Sequence, residues 1–206
     1  KEMLAAILRL HSGSEQVLAT AGNLNNDIGV PLTLLQINAN HAYAAIEMGM
    51  NHAGEISYLS NLASPGIAVI TNAGSAHIAH LGGTDAIAAA KGEIFGGLDE
   101  SGIAVINADD RYAPLWRQLV GKRQVLDFGM TRAASVSMQP LPGAPENGWS
   151  LSLPNEQGEL SLQVPGQHNV YNALAAAAAA HALGIDLDKI VAGLGSYTGT
   201  HGRLQI

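Results

Sequence analysis

GIAVITNAGSAHIAHLGGTDAIAAAKGEIFG, residues 66–96, is the stretch that decides the architecture. Its first six residues, GIAVIT, are a short apolar run behind Pro65 and read as a buried strand. A polar loop, NAGSAHIAHLGG, fills 72–83, and 84–96 has the length and alanine content of a helix, with Thr84 as its N-cap. The same order recurs outward in both directions. Upstream, 42–48 (AYAAIEM) reads as a strand and 54–62 as a helix, preceded by a helix over 1–11, a strand over 16–19 and a helix over 30–36. Downstream, GIAVI at 102–106 is a strand and 110–120 a helix. Short apolar strands alternating with helices predict an α/β fold, a mostly parallel sheet flanked by helices.

The texture changes after residue 123. QVLDF, SVSMQ, GWSLSL and ELSLQV alternate apolar and polar residues, with Pro- and Gly-rich turns at 140–148 and 154–158. This predicts a smaller antiparallel β section near 123–164, with one face exposed. GQHNVYN at 166–172 then opens a long alanine-rich helix, and 186–195 is another.

Composition narrows the function classes. Hydrophobic residues make up 47% of the 206 and aromatics 4%, so the core is aliphatic and alanine-rich. A formal net charge of −7 argues against nucleic-acid binding, which needs a basic surface for phosphates. With no cysteine, disulfides and thiolate metal sites are excluded. The run ALAAAAAAHAL at 173–183 is too short to span a bilayer, so no membrane insertion is expected and the cytoplasm is the expected location. Lys1 falls directly on a helical pattern and Ile206 ends as LQI begins, so the chain reads as a fragment of a longer protein.

In an open α/β sheet, ligands bind beyond the carboxyl ends of the strands. GNLNNDIGVP (22–31), EMGMNHAGE (47–55), TNAGSAH (71–77) and NADD (107–110) all fall at such ends, which marks that sheet edge as the site. Glu47 closes an apolar strand, where a carboxylate needs a partner: a helix cap, Lys91, or a metal. Glu47 and His77, from adjacent strand ends, suit a Mg²⁺ ion that keeps its other positions for water and phosphate. Lys91 lies among apolar helix neighbours, either snorkelling to the surface or partly buried with a lowered pKa that frees its amine to take up CO₂ as a carbamate. Asn169 and Asn172 share a face of the first turn of their helix, either as caps or as a pair able to read the edge of adenine. No Ser–His–Asp or Cys–His arrangement is evident.

Taken together, TAGNLNNDIGVPLTLL (20–35), IEMGMNHAGEI (46–56), TNAGSAHI (71–78), AKGEIF (90–95), INADD (106–110), GQHNVYNALAAAA (166–178) and GRL (202–204) resemble the Mur ligases, ATP-dependent amide-forming enzymes of bacterial cell-wall synthesis. The chain is most similar to the MurF type, and NLNNDIGVP carries that likeness most specifically. The resemblance implies the central ATP-binding domain over 1–206, truncated at both ends, without the phosphate-binding GKT/S loop or the amino- and carboxy-terminal domains, and inactive alone. It implies ATP and Mg²⁺ as cofactors, with UDP-N-acetylmuramoyl-tripeptide and D-alanyl-D-alanine as partners of a monomer. Glu47, His77 and a carbamylated Lys91 are the implied metal site, with Lys91, Asn25 and His77 the catalytic set. His168, Asn169, Asn172 and Arg203 are implied for ATP, and Asn23, Asn26, Asp27, Asn51 and His52 for substrate. After His77 many relatives carry Leu-Glu, whereas this chain has Ile78 and Ala79. Alternatives are a folate-type relative, against which the 22–31 loop argues, and a non-catalytic nucleotide-binding module.

Overall fold

A computed structural model describes residues 1–74 and 83–199. Helix α1 (Glu2–Ser12) leads through a short 3-10 turn to strand β1 (Val17–Ala19), then α2 (Gly29–Leu34), β2 (Tyr43–Ala45), α3 (Glu55–Ala63) and β3 (Ile67–Ile70). Helix α4 (Thr84–Gly92) continues as a 3-10 turn over Glu93–Gly97 and is followed by β4 (Ile103–Asn107), α5 (Ala113–Val120) and β5 (Gln124–Gly129). Strands β6 (Val136–Pro140), β7 (Gly148–Ser152) and β8 (Gln157–Ser161) precede α6 (Gln167–Ala182) and α7 (Leu187–Gly195).

The strands form two sheets. β1 and β2 pair in parallel by themselves, while β3 to β8 lie side by side in chain order. β3, β4, β5 and β6 are all parallel, and only the β6–β7 and β7–β8 pairs are antiparallel. The expected antiparallel section is therefore slightly too wide: QVLDF pairs only in parallel, whereas SVSMQ is parallel to it on one edge and antiparallel to GWSLSL on the other. β5 and β6 alternate because polar positions along them, such as Gln124 and Gln139, reach solvent. Alternation reports that exposure and is silent on pairing direction. The single sheet that the strand–helix alternation suggests is likewise divided. Thr84 also departs from expectation, since Gly83 stands at the cap position of α4.

The pleat sends successive residues to opposite faces. In β4, Val105 joins one core with Met3, Ile7 and Leu8 of α1 and the alanines of α6. Ala104 and Ile106 join another with Phe95 and Trp116. Helix α6 is buried on nearly every side, and its alanines allow the sheet, α1 and α7 to approach closely. Where α7 crosses α1 the approach is tighter still, for a Cβ on Gly193 would stand 2.5 Å from the Ile7 Cα.

That contact gives a test within one helix. Alanine normally improves a helix relative to glycine by about 1 kcal/mol. Gly193→Ala should instead destabilise the complete protein by about 1–3 kcal/mol, because backbone must move. Gly195→Ala, whose Cβ would meet nothing nearer than 3.7 Å, should be neutral or stabilising. Thermal melts of the two variants beside the parent check the contrast.

Candidate functional site

The carboxyl ends of β2, β3 and β4 carry the polar segments. A cleft of about 670 Å³ opens between residues 44–48, at and just beyond the end of β2, and 66–69, at the start of β3, and its polar lining includes Lys1, Glu47, Thr71 and Asn172. Two residues predicted from sequence, one at a strand end and one on α6, thus face a common space.

Glu47 is held from several directions. Its backbone N–H donates to Thr20 Oγ1 at 2.9 Å, and its Oε1 accepts from Asn25 Nδ2 at 2.9 Å. Its Oε2 lies 3.6 Å from Lys1 Nζ, an ion pair too long for a hydrogen bond. Lys1 in turn donates to the carbonyls of Thr20 and Gly22, each at 2.8 Å. The partner of Glu47 is therefore not Lys91, the pairing weighed for it, but Lys1 and Asn25. Among the described residues, no group of three or more His, Cys, Asp or Glu could hold a metal. The oxygen-only donor at Glu47 suits Mg²⁺ all the same, since that ion is commonly held by one or two carboxylates with waters and phosphate oxygens.

Lys91 leaves the apolar side of α4 and donates from Nζ to the Asn72 carbonyl at 2.7 Å. It faces the loop after β3 and is half-buried. Desolvation lowers its pKa from the usual lysine value, opposed by the nearby Asp110 carboxylate. His77 and Arg203 lie outside the described residues.

The remaining predicted residues divide. Asn169 sits in the first turn of α6, its Nδ2 donating to the Pro165 carbonyl at 2.7 Å, and Asn172 Nδ2 reaches Asn169 Oδ1 at 3.5 Å. The ring of His168 packs against Gly166, the cap of the same helix. In the 22–31 loop, Asn26 Oδ1 accepts from the backbone of Ile28 and Gly29 and so shapes the start of α2. Asn23 and Asp27 are exposed. The backbone N–H groups of Asn51 and His52 both donate to Glu55 Oε2, and His52 Nδ1 lies 2.8 Å from Glu55 Oε1. The Asn51 amide and then the His52 ring lower the Glu55 pKa to about 2.

The NADD segment works as a clamp. Asn107 Nδ2 donates to the Thr71 carbonyl, and Asp110 Oδ2 accepts from the Ala73 amide. Asp109 accepts from the amides of Met130, Thr131 and Arg132, from Thr131 Oγ1 and from Tyr171 Oη. Burial would raise the Asp109 carboxyl, but these donors hold it well below the carboxylate range. Burial and the Asp109 charge push the Tyr171 phenol up to about 12. Residues 107–110 thereby join the ends of β3, β4 and β5 to α6. Sequence reasoning grouped these residues with the ligand loops and gave Tyr171 and Lys1 no role; only the tertiary structure supplies their partners.

This fold and polar edge are those of a ligase-family α/β domain, and the chain belongs to the Mur ligase family: the Mur ligase middle domain matches residues 1–180. A curated relative, the UDP-N-acetylmuramoyl-tripeptide--D-alanyl-D-alanine ligase of Escherichia coli K12, is 43% identical over 99% of this chain and 45% of its own length. The crystal structure of MurF from Acinetobacter baumannii superposes with a TM-score of 0.90 and 39% identity, covering 100% of this chain and 44% of that one. MurF from Thermotoga maritima, solved in complex with ADP, gives 0.82 and 26% over 98% of this chain and 46% of that one. The chain thus spans less than half the length of these relatives. No described helix is long and apolar enough to cross a membrane.

The Asp109 clamp makes a signed prediction. A carboxyl depressed in the folded state contributes stability that is full above its unfolded pKa of about 3.9 and is lost as pH falls through the folded value. Asp109→Asn should destabilise the complete protein at pH 7 by about 2 kcal/mol, a moderate figure because the group is partly solvent-facing. The gap to the parent should narrow as pH drops below about 4, which melts recorded from pH 7 to pH 3 will measure.

Proposed function

We propose that this chain is the central ATP-binding region of a ligase that joins D-alanyl-D-alanine to UDP-N-acetylmuramoyl-tripeptide. The observation that carries the reading is the docking of the MurF-type loop 22–31 onto the Glu47 strand end through Asn25. The 43% identity to the E. coli ligase supports it. In this reading ATP phosphorylates the terminal carboxylate of the tripeptide, the amine of the dipeptide attacks the acyl phosphate, and inorganic phosphate leaves. No protein nucleophile is required; the side chains position the reactants and balance charge.

Asn169 and Asn172, at the start of α6, offer amides to the adenine edge. Glu47 and His77 are the residues proposed to hold Mg²⁺, which when bound neutralises charge on the phosphates. Lys91 contributes through its amine. Partial desolvation favours the neutral form, whose nitrogen lone pair bonds to CO₂ with loss of one proton, leaving a carbamate anion beside the metal site. His168 and Arg203 are assigned to ATP, and Asn23, Asn26, Asp27, Asn51 and His52 to the substrate side. The protein is proposed to be a cytoplasmic monomer.

Two measurements test this. The complete protein, given ATP, Mg²⁺, D-alanyl-D-alanine and the UDP-linked tripeptide, should form one amide product per ADP and phosphate; ATP-dependent glutamate addition to a folate instead would overturn the reading. In ¹³C-bicarbonate, the complete protein should show a carbamate carbon resonance that is absent from Lys91→Arg. At fixed dissolved CO₂ that resonance should grow from pH 7 to 9, as the neutral amine fraction rises. Lys91→Ala should lower kcat by about 10–100-fold.

A further inference from the structure

We propose that Asn25, buttressed by Gly49, is a positioning residue that aims the Glu47 carboxylate, and that it acts on the metal site and not by touching the peptide substrate. The proposal rests on the reading of Glu47 as a Mg²⁺ ligand. A glutamate at a strand end has three rotatable side-chain bonds, and fixing them costs about 1.5–2 kcal/mol. The 2.9 Å bond from Asn25 Nδ2 to Oε1 prepares that arrangement before any ion arrives. The other oxygen makes no hydrogen bond to Lys1 at 3.6 Å and keeps lone pairs for a cation.

Asn25 is itself fixed. Its carbonyl accepts from the Gly49 amide at 2.6 Å, and its own amide donates to the Asn23 carbonyl at 2.7 Å. A Cβ on Gly49 would lie 3.0 Å from both Cγ and Oδ1 of Asn25 and 3.1 Å from Nδ2. A side chain at position 49 would push the Asn25 amide a few tenths of an ångström from where it meets Glu47. The base of the loop is secured separately: Lys1, its side chain 10% exposed, grips the Thr20 and Gly22 carbonyls, and Thr20 Oγ1 holds the Glu47 amide. The loop that resembles the substrate-facing segment of MurF-type ligases is thus tied through its fourth residue to the metal-side carboxylate.

The experiment uses the complete protein with ADP and titrates Mn²⁺ by electron paramagnetic resonance. Asn25→Ala removes the donor, and Gly49→Ala leaves Asn25 in place but displaces its amide. Each should weaken Mn²⁺ binding about ten-fold, the usual effect of losing an outer partner of a metal ligand, while the KM for D-alanyl-D-alanine stays within about two-fold. In a Glu47→Gln background neither substitution should weaken Mn²⁺ further, because their route to the ion is gone. If Glu47→Gln weakens Mn²⁺ and the other two do not, or if they raise the dipeptide KM and leave Mn²⁺ unchanged, Asn25 has no positioning role. An unchanged Mn²⁺ affinity in Glu47→Gln itself would instead overturn the metal-ligand reading.

Discussion

A helix lined almost entirely with alanine organises this fold. Eight alanines lie in α6, and those from Ala173 to Ala180 are at most 5% exposed. The distance at which a helix packs against its neighbours depends on the side chains at the contact, and small ones let a sheet on one side and two helices on the other all come close. Alanine meets that constraint with no rotamer freedom to lose and the highest helix propensity. The larger residues are supplied by the neighbours: Ile7 and Leu8 from α1, Phe128 and Met138 from the sheet, and Ile190 and Leu194 from α7. The direction of the helix, and hence the position of Asn169, Tyr171 and Asn172 in its first turn, follows from packing several turns away.

The polar edge is built on a division of labour. Some side chains satisfy main-chain donors that loops leave open: Asp109 for residues 130–132, Glu93 for Gly54 and Ser57 at the start of α3, and Asn26 for Gly29. These contacts make the loops rigid. Buried backbone groups must find such partners or cost free energy, so a loop rich in Asn and Asp serves structure as readily as chemistry. Asn172 and Glu47 differ in lining an open cleft. A site held in this manner is preorganised, because the groups facing the cleft are backed by others that have no second task.

Much of this was legible in the sequence, and the parts that were not have identifiable reasons. GIAVIT and GIAVI are strands because β-branched and small apolar residues at that density suit a sheet covered on both faces. QVLDF alternates as an antiparallel strand would, yet it pairs only in parallel, and SVSMQ is the strand at which the sheet changes direction; alternation reports exposure, not direction. The division between β2 and β3 was invisible because hydropathy says nothing about which backbone edges pair. The polar clusters were correctly placed at strand ends, but their tasks were not separable. NADD and GNLNN look alike in composition, while Asp109 turns to backbone and Asn25 turns to Glu47. Distinguishing them requires knowing that residues 130–132 and 47 are neighbours, information carried by long-range contacts.

The two lysines near this edge illustrate how environment assigns roles to one side chain. Lys1 donates to the carbonyls of Thr20 and Gly22 and pairs with Glu2 and Glu47, contacts that hold a loop in place. Lys91 has one carbonyl partner at Asn72 and is partly withdrawn from water. Desolvation acts on it more strongly than the attraction of Asp110, so the balance moves toward the neutral form. A reagent such as CO₂ needs that neutral nitrogen, and a modification at Lys1 would break the contacts that hold the Thr20–Gly22 segment. The contacts of Lys1 thus serve the loop, while the partial burial of Lys91 beside the loop after β3 suits it to the chemistry proposed for it.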